Sequence, residues 1–153
     1  MIGLLQRVTE GLVVVDGEVV GQVGPGLVVL VAVEPADTEV QADRLVDRIL
    51  GYRVFDDDRG RMNLSVRDTR GGVLLVPQFT LAADTDKGLR ASFTGAAEPA
   101  LGRRLFAHAV ARARDELGER VATGRFGAHM QVSLTNDGPV TFWLRVAAAP
   151  GGG

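Results

Sequence analysis

The sequence has no cysteine among its 153 residues. That excludes disulfide bridges, a thiolate nucleophile and a cysteine-based zinc site, and it fits a reducing compartment. Histidine is nearly as scarce, with two in the chain. His129 lacks the Glu-x-x-His or His-x-His context of a zinc ligand. Lys87 is the only lysine; the other basic residues are arginines. No stretch approaches the roughly 20 apolar residues that span a bilayer. The first residues, Met1 to Arg7, read as a strand and lack the basic start and long apolar run of a signal peptide. A cytoplasmic protein with no membrane attachment is expected. Strong positive charge is missing too, with a net charge of -2. A protein that grips long nucleic acid, DNA included, by its backbone is usually more basic. Contact with one end of an RNA needs few phosphate contacts and stays open.

What is present is an ordinary globular composition, 46% hydrophobic and 24% charged, in a length that suits one domain with its own core. Residues 2–9 alternate like a strand. Residues 11–22 hold two β-branched runs around Asp16-Gly17, a pair that favours a tight hairpin turn. Gly24-Pro25-Gly26 is a turn and not a phosphate loop, since no Gly-Lys-Ser/Thr follows it. Residues 27–33 are apolar throughout, which predicts a strand buried on both faces. The period then changes. Ala42, Leu45, Val46, Ile49 and Leu50 fall at helical spacing behind a Thr38–Gln41 capping box. Residues 56–72 read as a loop or loose hairpin, and Val73 to Val76 as a buried strand. A second helix starts at Pro99, carries the stripe Leu101, Leu105, Phe106, Ala109, Val110, Ala113 and Leu117, and stops at Gly118. Two strands near 129–135 and 140–146 follow, joined by Asn136-Asp137-Gly138-Pro139. Residues 1–146 make the predicted domain, and 147–153 a disordered tail. Many strands with two main helices predict a mixed α+β (α/β) fold, with sheets covered by helices on one side.

The familiar catalytic constellations are missing. A triad needs a histidine near a serine or cysteine, and His108 sits at the edge of a helical apolar stripe, where it reads as a packed residue. Asp56-Asp57-Asp58 lacks the spacing of a calcium loop and reads as a solvated turn. An enzyme built from this chain works without thiol, metal or triad, through backbone donors, hydroxyls and amides. Two segments suit that role. Pro77-Gln78-Phe79-Thr80-Leu81 leaves a buried strand and can aim N–H groups into a cleft, as an oxyanion hole requires; a plain strand end with a packed Phe79 is the alternative. Asn136-Asp137-Gly138-Pro139-Val140-Thr141 contains a Gly-Pro bond that can be cis at a cost of about 0.5–1 kcal/mol; an ordinary hairpin turn is the alternative there.

Taken together, these segments resemble the D-aminoacyl-tRNA deacylase family from about Met1 to Leu144. The matching pieces are Gln6-Arg7-Val8, the hairpin Val15 to Gly21, Tyr52-Arg53-Val54-Phe55 and Met62-Asn63-Leu64-Ser65. They continue with Gln78-Phe79-Thr80-Leu81, Ala83-Asp84-Thr85, Lys87-Gly88, Ser92-Phe93, Gly124-Arg125-Phe126-Gly127-Ala128 and the Asn136 to Thr141 motif. Their order and spacing carry the resemblance. It implies a barrel-like pair of β-sheets with helices outside, in α/β/β layers, and a homodimer with active sites at its interface. It implies hydrolysis of the ester of D-aminoacyl-tRNA, and of glycine mischarged on tRNA(Ala), with no cofactor or metal. Gln78, Phe79 and Thr80 would line the reaction centre, with the ribose 2′-hydroxyl assisting. A cis Gly138-Pro139 bond would reach the partner's pocket and exclude L side chains. Arg7 would hold that motif, with Asn136, Val140 and Thr141 as its frame. Phe126 and Met130 match positions near the terminal adenosine, and Lys87 and Arg90 are candidate phosphate contacts.

Two positions depart from the family pattern. Position 77 is proline where the motif begins with serine, which removes a hydroxyl and a backbone donor. Position 91 is alanine where proline is common. A related family that edits L-alanine mischarged onto tRNA also has proline at the first position, but it replaces the phenylalanine and changes the Gly-Pro motif. This chain keeps both, which places it on the D-specific side. A non-catalytic dimer that binds tRNA ends is the remaining alternative.

Overall fold

The computed structural model describes residues 1–150. In chain order the elements are β1 (Ile2–Val15), β2 (Glu18–Val23), β3 (Gly26–Ala32), α1 (Glu39–Gly51), β4 (Phe55–Asp56), β5 (Met62–Leu64), the short helix α2 (Val66–Thr69), β6 (Gly72–Pro77), a 3-10 turn (Phe79–Ala82), α3 (Pro99–Leu117), β7 (Val121–Thr123) and β8 (Gln131–Arg145). β1 is the spine. Its first half pairs antiparallel with β3, its second half with β2, and its other edge carries β8. β6 and β7 extend the sheet beyond β3 in parallel. The six-stranded sheet curls until β2 meets β7, and a Cβ on Gly21 would stand 2.2 Å from the carbonyl oxygen of Thr123. Only glycine allows that approach. The result is the expected mixed α+β fold, a nearly closed barrel-like sheet with helices on its outside.

The apolar runs decide the layering. In β3 and β6, Leu27, Val29, Val31, Val73 and Leu75 face α1 and α3, while Val28, Leu74 and Val76 join Val8, Val13 and Val15 inside the barrel. Strands buried on both faces read as unbroken apolar sequence, as residues 27–33 do. The predicted apolar stripes of both helices are buried, with Leu101 half-buried at the start of α3. Thr38 and Gln41 form the reciprocal capping box. His108 is half-buried and bonds Asp43 at 2.8 Å, tying α3 to α1. That is the packed role expected of it.

Three readings change. Residues 2–15 form one strand, because the pairing with β8 carries β1 past Thr9 and Glu10. The polar stretch 56–72 contains a small hairpin and α2, which is capped reciprocally by Ser65 and Asp68. Asn136 to Pro139 does not reverse the chain. Both flanking segments pair with β1, Val8 with Asn136 and Gln6 with Thr141, so residues 137–140 bulge out opposite Arg7 alone. Of the predicted tail, 147–150 run outside regular structure, and 151–153 lie outside the described residues.

The ammonium group of Met1 is fully buried and donates to Glu34 and Asp37 at 2.9 Å and to the Val146 carbonyl at 2.7 Å. These bonds join the start of β1, the loop after β3 and the end of β8. Burial pushes the Glu34 carboxyl up, but bonds from Arg145 and the ammonium outweigh it and hold the group below its ordinary value. Arg67 holds Glu116 low through a bidentate pair at 2.7 and 2.8 Å. A carboxylate held low in the folded state stabilises the fold above its unfolded pKa, and that contribution is lost as pH falls through the folded value. The urea midpoint is therefore expected to stay level from neutrality to about pH 4.5 and to drop below it. Glu34→Gln should flatten part of the acid limb. A wild-type midpoint still level at about pH 3 contradicts this account.

Candidate active site

β6 ends at Pro77, in register with Val31 of β3, and the pairing survives the proline because the Gln78 N–H donates to the Val31 carbonyl at 2.8 Å. The chain then tightens into the 3-10 turn. A helical turn leaves its first N–H groups without partners inside the turn. No side chain caps this one; Gln78 instead donates through its amide to the Thr80 hydroxyl. The Phe79 and Thr80 N–H groups, just past the end of a buried strand, have no hydrogen-bond partner among the described residues. Phe79 is 59% exposed, steadied by Phe93 at 5.2 Å between ring centroids.

Beside this turn lies a cavity of about 450 Å³, within the range of small-molecule sites. Its floor is apolar, with Val31, Val33 and Val76 among the lining side chains, and its polar groups are few, chiefly Gln78 and His129. Pro77, Gln78, Phe79, Phe126 and Met130, all singled out from sequence, line it together. Thr80 sits next to it through its bond with Gln78. Lys87 and Arg90 are exposed on the loop pinched by the Asp84–Ser92 bridge and do not line it. Sequence reasoning missed Ala97, Gly102, Phe106, His129 and Val132 of the lining. A glycine inside an amphipathic helix was the available signal for Gly102.

A second cluster surrounds the β8 bulge. Asn136 accepts from the Val140 N–H at 2.7 Å and donates to the Val140 carbonyl at 3.1 Å, the Thr141 hydroxyl at 3.0 Å and Gln6 at 3.3 Å. Arg7 donates to the Asp137 carbonyl at 2.9 Å and to the Val54 carbonyl at 2.7 Å. The Gly138-Pro139 bond is cis, and Asp137, Gly138 and Pro139 are exposed. None of these residues lines the cavity of its own chain.

The family model described as D-Tyr-tRNA(Tyr) deacylase matches residues 4–145. The chain belongs to that family. A D-aminoacyl-tRNA deacylase from Thioalkalivibrio sulfidiphilus is 67% identical over 146 residues, covering 95% of this chain and 97% of the relative. A solved structure named c-Myc DNA Unwinding Element Binding Protein is 35% identical at a TM-score of 0.92, covering 97% of this chain and all of that one. A probable eukaryotic D-amino acid tRNA deacylase superposes at a TM-score of 0.81 with 18% identity over 94% of this chain and 97% of the other, a likeness of fold.

Proposed function

We propose that this chain hydrolyses the ester of D-aminoacyl-tRNA, releasing tRNA and the D-amino acid, and that it does so in the cytoplasm. Family membership over residues 4–145 supports the activity. The observation that carries the chemistry is the uncapped turn at Phe79 and Thr80 beside an apolar cavity. As water attacks the ester carbonyl, charge builds on its oxygen, and backbone N–H groups placed there stabilise it. Phe126 and Met130 offer the terminal adenosine an apolar seat. Lys87 and Arg90, on their exposed loop, contact the RNA backbone.

Thr80 positions groups and is not the nucleophile. Its hydroxyl bonds an amide, which is no base, and among the described residues no histidine, carboxylate or amine bonds it to take its proton. The ribose 2′-hydroxyl supplies the missing assistance. Pro77 lines the cavity without an N–H to offer, so the donors lie after it in the chain.

Chirality is assigned to Gly138-Pro139 of a partner subunit in a homodimer. The exposure of this segment and its absence from its own chain's cavity support that assignment. Arg7, Asn136, Val140 and Thr141 hold it. Main-chain carbonyls near the substrate Cα crowd an L side chain and bind the amine, a selection by exclusion that leaves the D side chain free. Glycine has no side chain to exclude, so glycine mischarged on tRNA(Ala) is also a substrate.

The test is hydrolysis of D-Tyr-tRNA, L-Tyr-tRNA, Gly-tRNA(Ala) and L-Ala-tRNA by purified, chelator-treated protein. The D-tyrosyl ester should be cleaved about a hundredfold faster or more than the L ester. Equal rates on the two tyrosyl esters defeat the assignment, and preference for the L-alanyl ester transfers the chain to the related editing activity.

A further inference from the structure

The helix α3 grips Phe126 through two successive residues. At Gly102 an added Cβ would lie 3.3 Å from the Phe126 Cζ, so the ring packs directly on the helix and would have to give by a few tenths of an ångström to admit a side chain there. Arg103 lays its guanidinium over the same ring, 4.8 Å from the centroid, and its Nη2 stands 3.5 Å from a Cβ built on Gly127. Phe106 is its neighbour in the cavity wall, tilted at 6.4 Å between centroids. Phe126, Gly127, Gly102 and Phe106 all line the cavity, so Arg103 is fixed at its rim.

Among the described residues its charge has no ionic partner. On the same helix Arg104 faces Glu39 at 3.8 Å, and Arg112 pairs with Asp47 at 2.8 Å. Among the described residues no carboxylate lies within ion-pairing distance of Arg103, and the side chain is exposed. A guanidinium seated over a ring keeps N–H donors for a phosphate, which a planar fork can bind through two of them at once. Stacking also removes much of the side-chain entropy that a free surface arginine loses on binding.

We propose that Arg103 is a binding residue for the 5′-phosphate of the nucleotide whose base occupies the cavity, held ready by Phe126. This rests on the seat assigned above to the terminal adenosine. It deepens that reading by naming the group that distinguishes a nucleotide end from a free nucleoside.

Binding of AMP and of adenosine, measured by calorimetry or NMR titration, tests this without turnover. The wild-type protein should bind AMP about tenfold more tightly than adenosine. Arg103→Ala should remove that margin and leave adenosine affinity within about twofold. Arg103→Lys should keep part of the margin, because it keeps the charge and loses the planar fork. Thermal melts of both variants check that the exposed substitution leaves the fold intact. A wild type that does not discriminate AMP from adenosine, or an Arg103→Ala variant that retains the full margin, overturns the proposal. Failure of the deacylase reading shows separately, as equal hydrolysis of D and L esters by the wild type.

Discussion

Replacing Asp37 with alanine should lower the unfolding free energy by about 3 kcal/mol, the low end of the cost of breaking a buried ion pair. Asp37 is 4% exposed and accepts from the Met1 ammonium at 2.9 Å and from the Glu34 N–H at 2.7 Å. Its removal strands half of the charge compensation around a fully buried cation and leaves a backbone donor without its acceptor. The Asp37→Asn variant separates the two effects. Its carbonyl still serves Glu34, but its NH₂ now faces the ammonium, so the loss should be nearly as large. Glu34→Gln should cost less, because Glu34 keeps partial contact with water and is shared with Arg145. Urea denaturation with unchanged slope is the measurement. An Asp37→Ala variant within about 0.5 kcal/mol of wild type would mean that water reaches the ammonium and that the knot is not a stabilising element.

Local signals were legible wherever one short segment decides its own conformation. Thr38 and Gln41 cap α1 because the bonds involved span three residues. Asp16 and Gly17 turn the first hairpin at φ values of 49° and 79°, as a two-residue loop between twisted strands demands. The doubly buried strands announced themselves by composition. The Ser65–Asp68 cap of α2 was equally readable, but a four-residue helix carries no period to draw attention to it. What resisted reading depends on distant partners. The bulge after Asn136 exists because both of its flanks add to β1, and a sequence of turn-forming residues cannot say whether the chain reverses there or resumes its course. The cavity is similar. Pro77, Gln78 and Phe79 were marked by their motif, but Val33, Ala97 and Val132 enter only because the ends of β3, α3 and β8 converge. Arg103 gave no sign in sequence, since its meaning lies in the ring beneath it.

Asn136→Ala should reduce kcat/KM for D-aminoacyl-tRNA by about a hundredfold while the fold survives, the scale expected when a group near the chemistry is displaced by an ångström. Beside the bond from Arg7 to Asp137, the Asn136 side-chain amide holds the bulge through four bonds that close residues 136–141 on themselves and on Gln6. Alanine makes none of them. The flanking ladder with β1 continues on both sides, so the cost in stability should be about 1 kcal/mol. Gly138→Ala attacks the same segment from its backbone. Gly138 has φ 146°, and a Cβ there would meet the Val140 Cγ2 at 2.6 Å and the Val140 nitrogen at 2.9 Å. The segment must shift to admit the methyl group, and a similar loss of activity is expected. Both variants should also lower the ratio of D to L hydrolysis, since an excluding surface that moves no longer excludes. Asn136→Asp keeps the acceptor for Val140 and loses the donors, so it should fall between wild type and alanine. AMP affinity separates this cluster from the cavity: under the proposed function the bulge acts on the amino-acid end of the substrate, so Asn136→Ala should bind AMP as the wild type does. A variant that keeps both its D/L ratio and its kcat/KM within about twofold would remove the bulge from the mechanism and leave selection to the cavity walls.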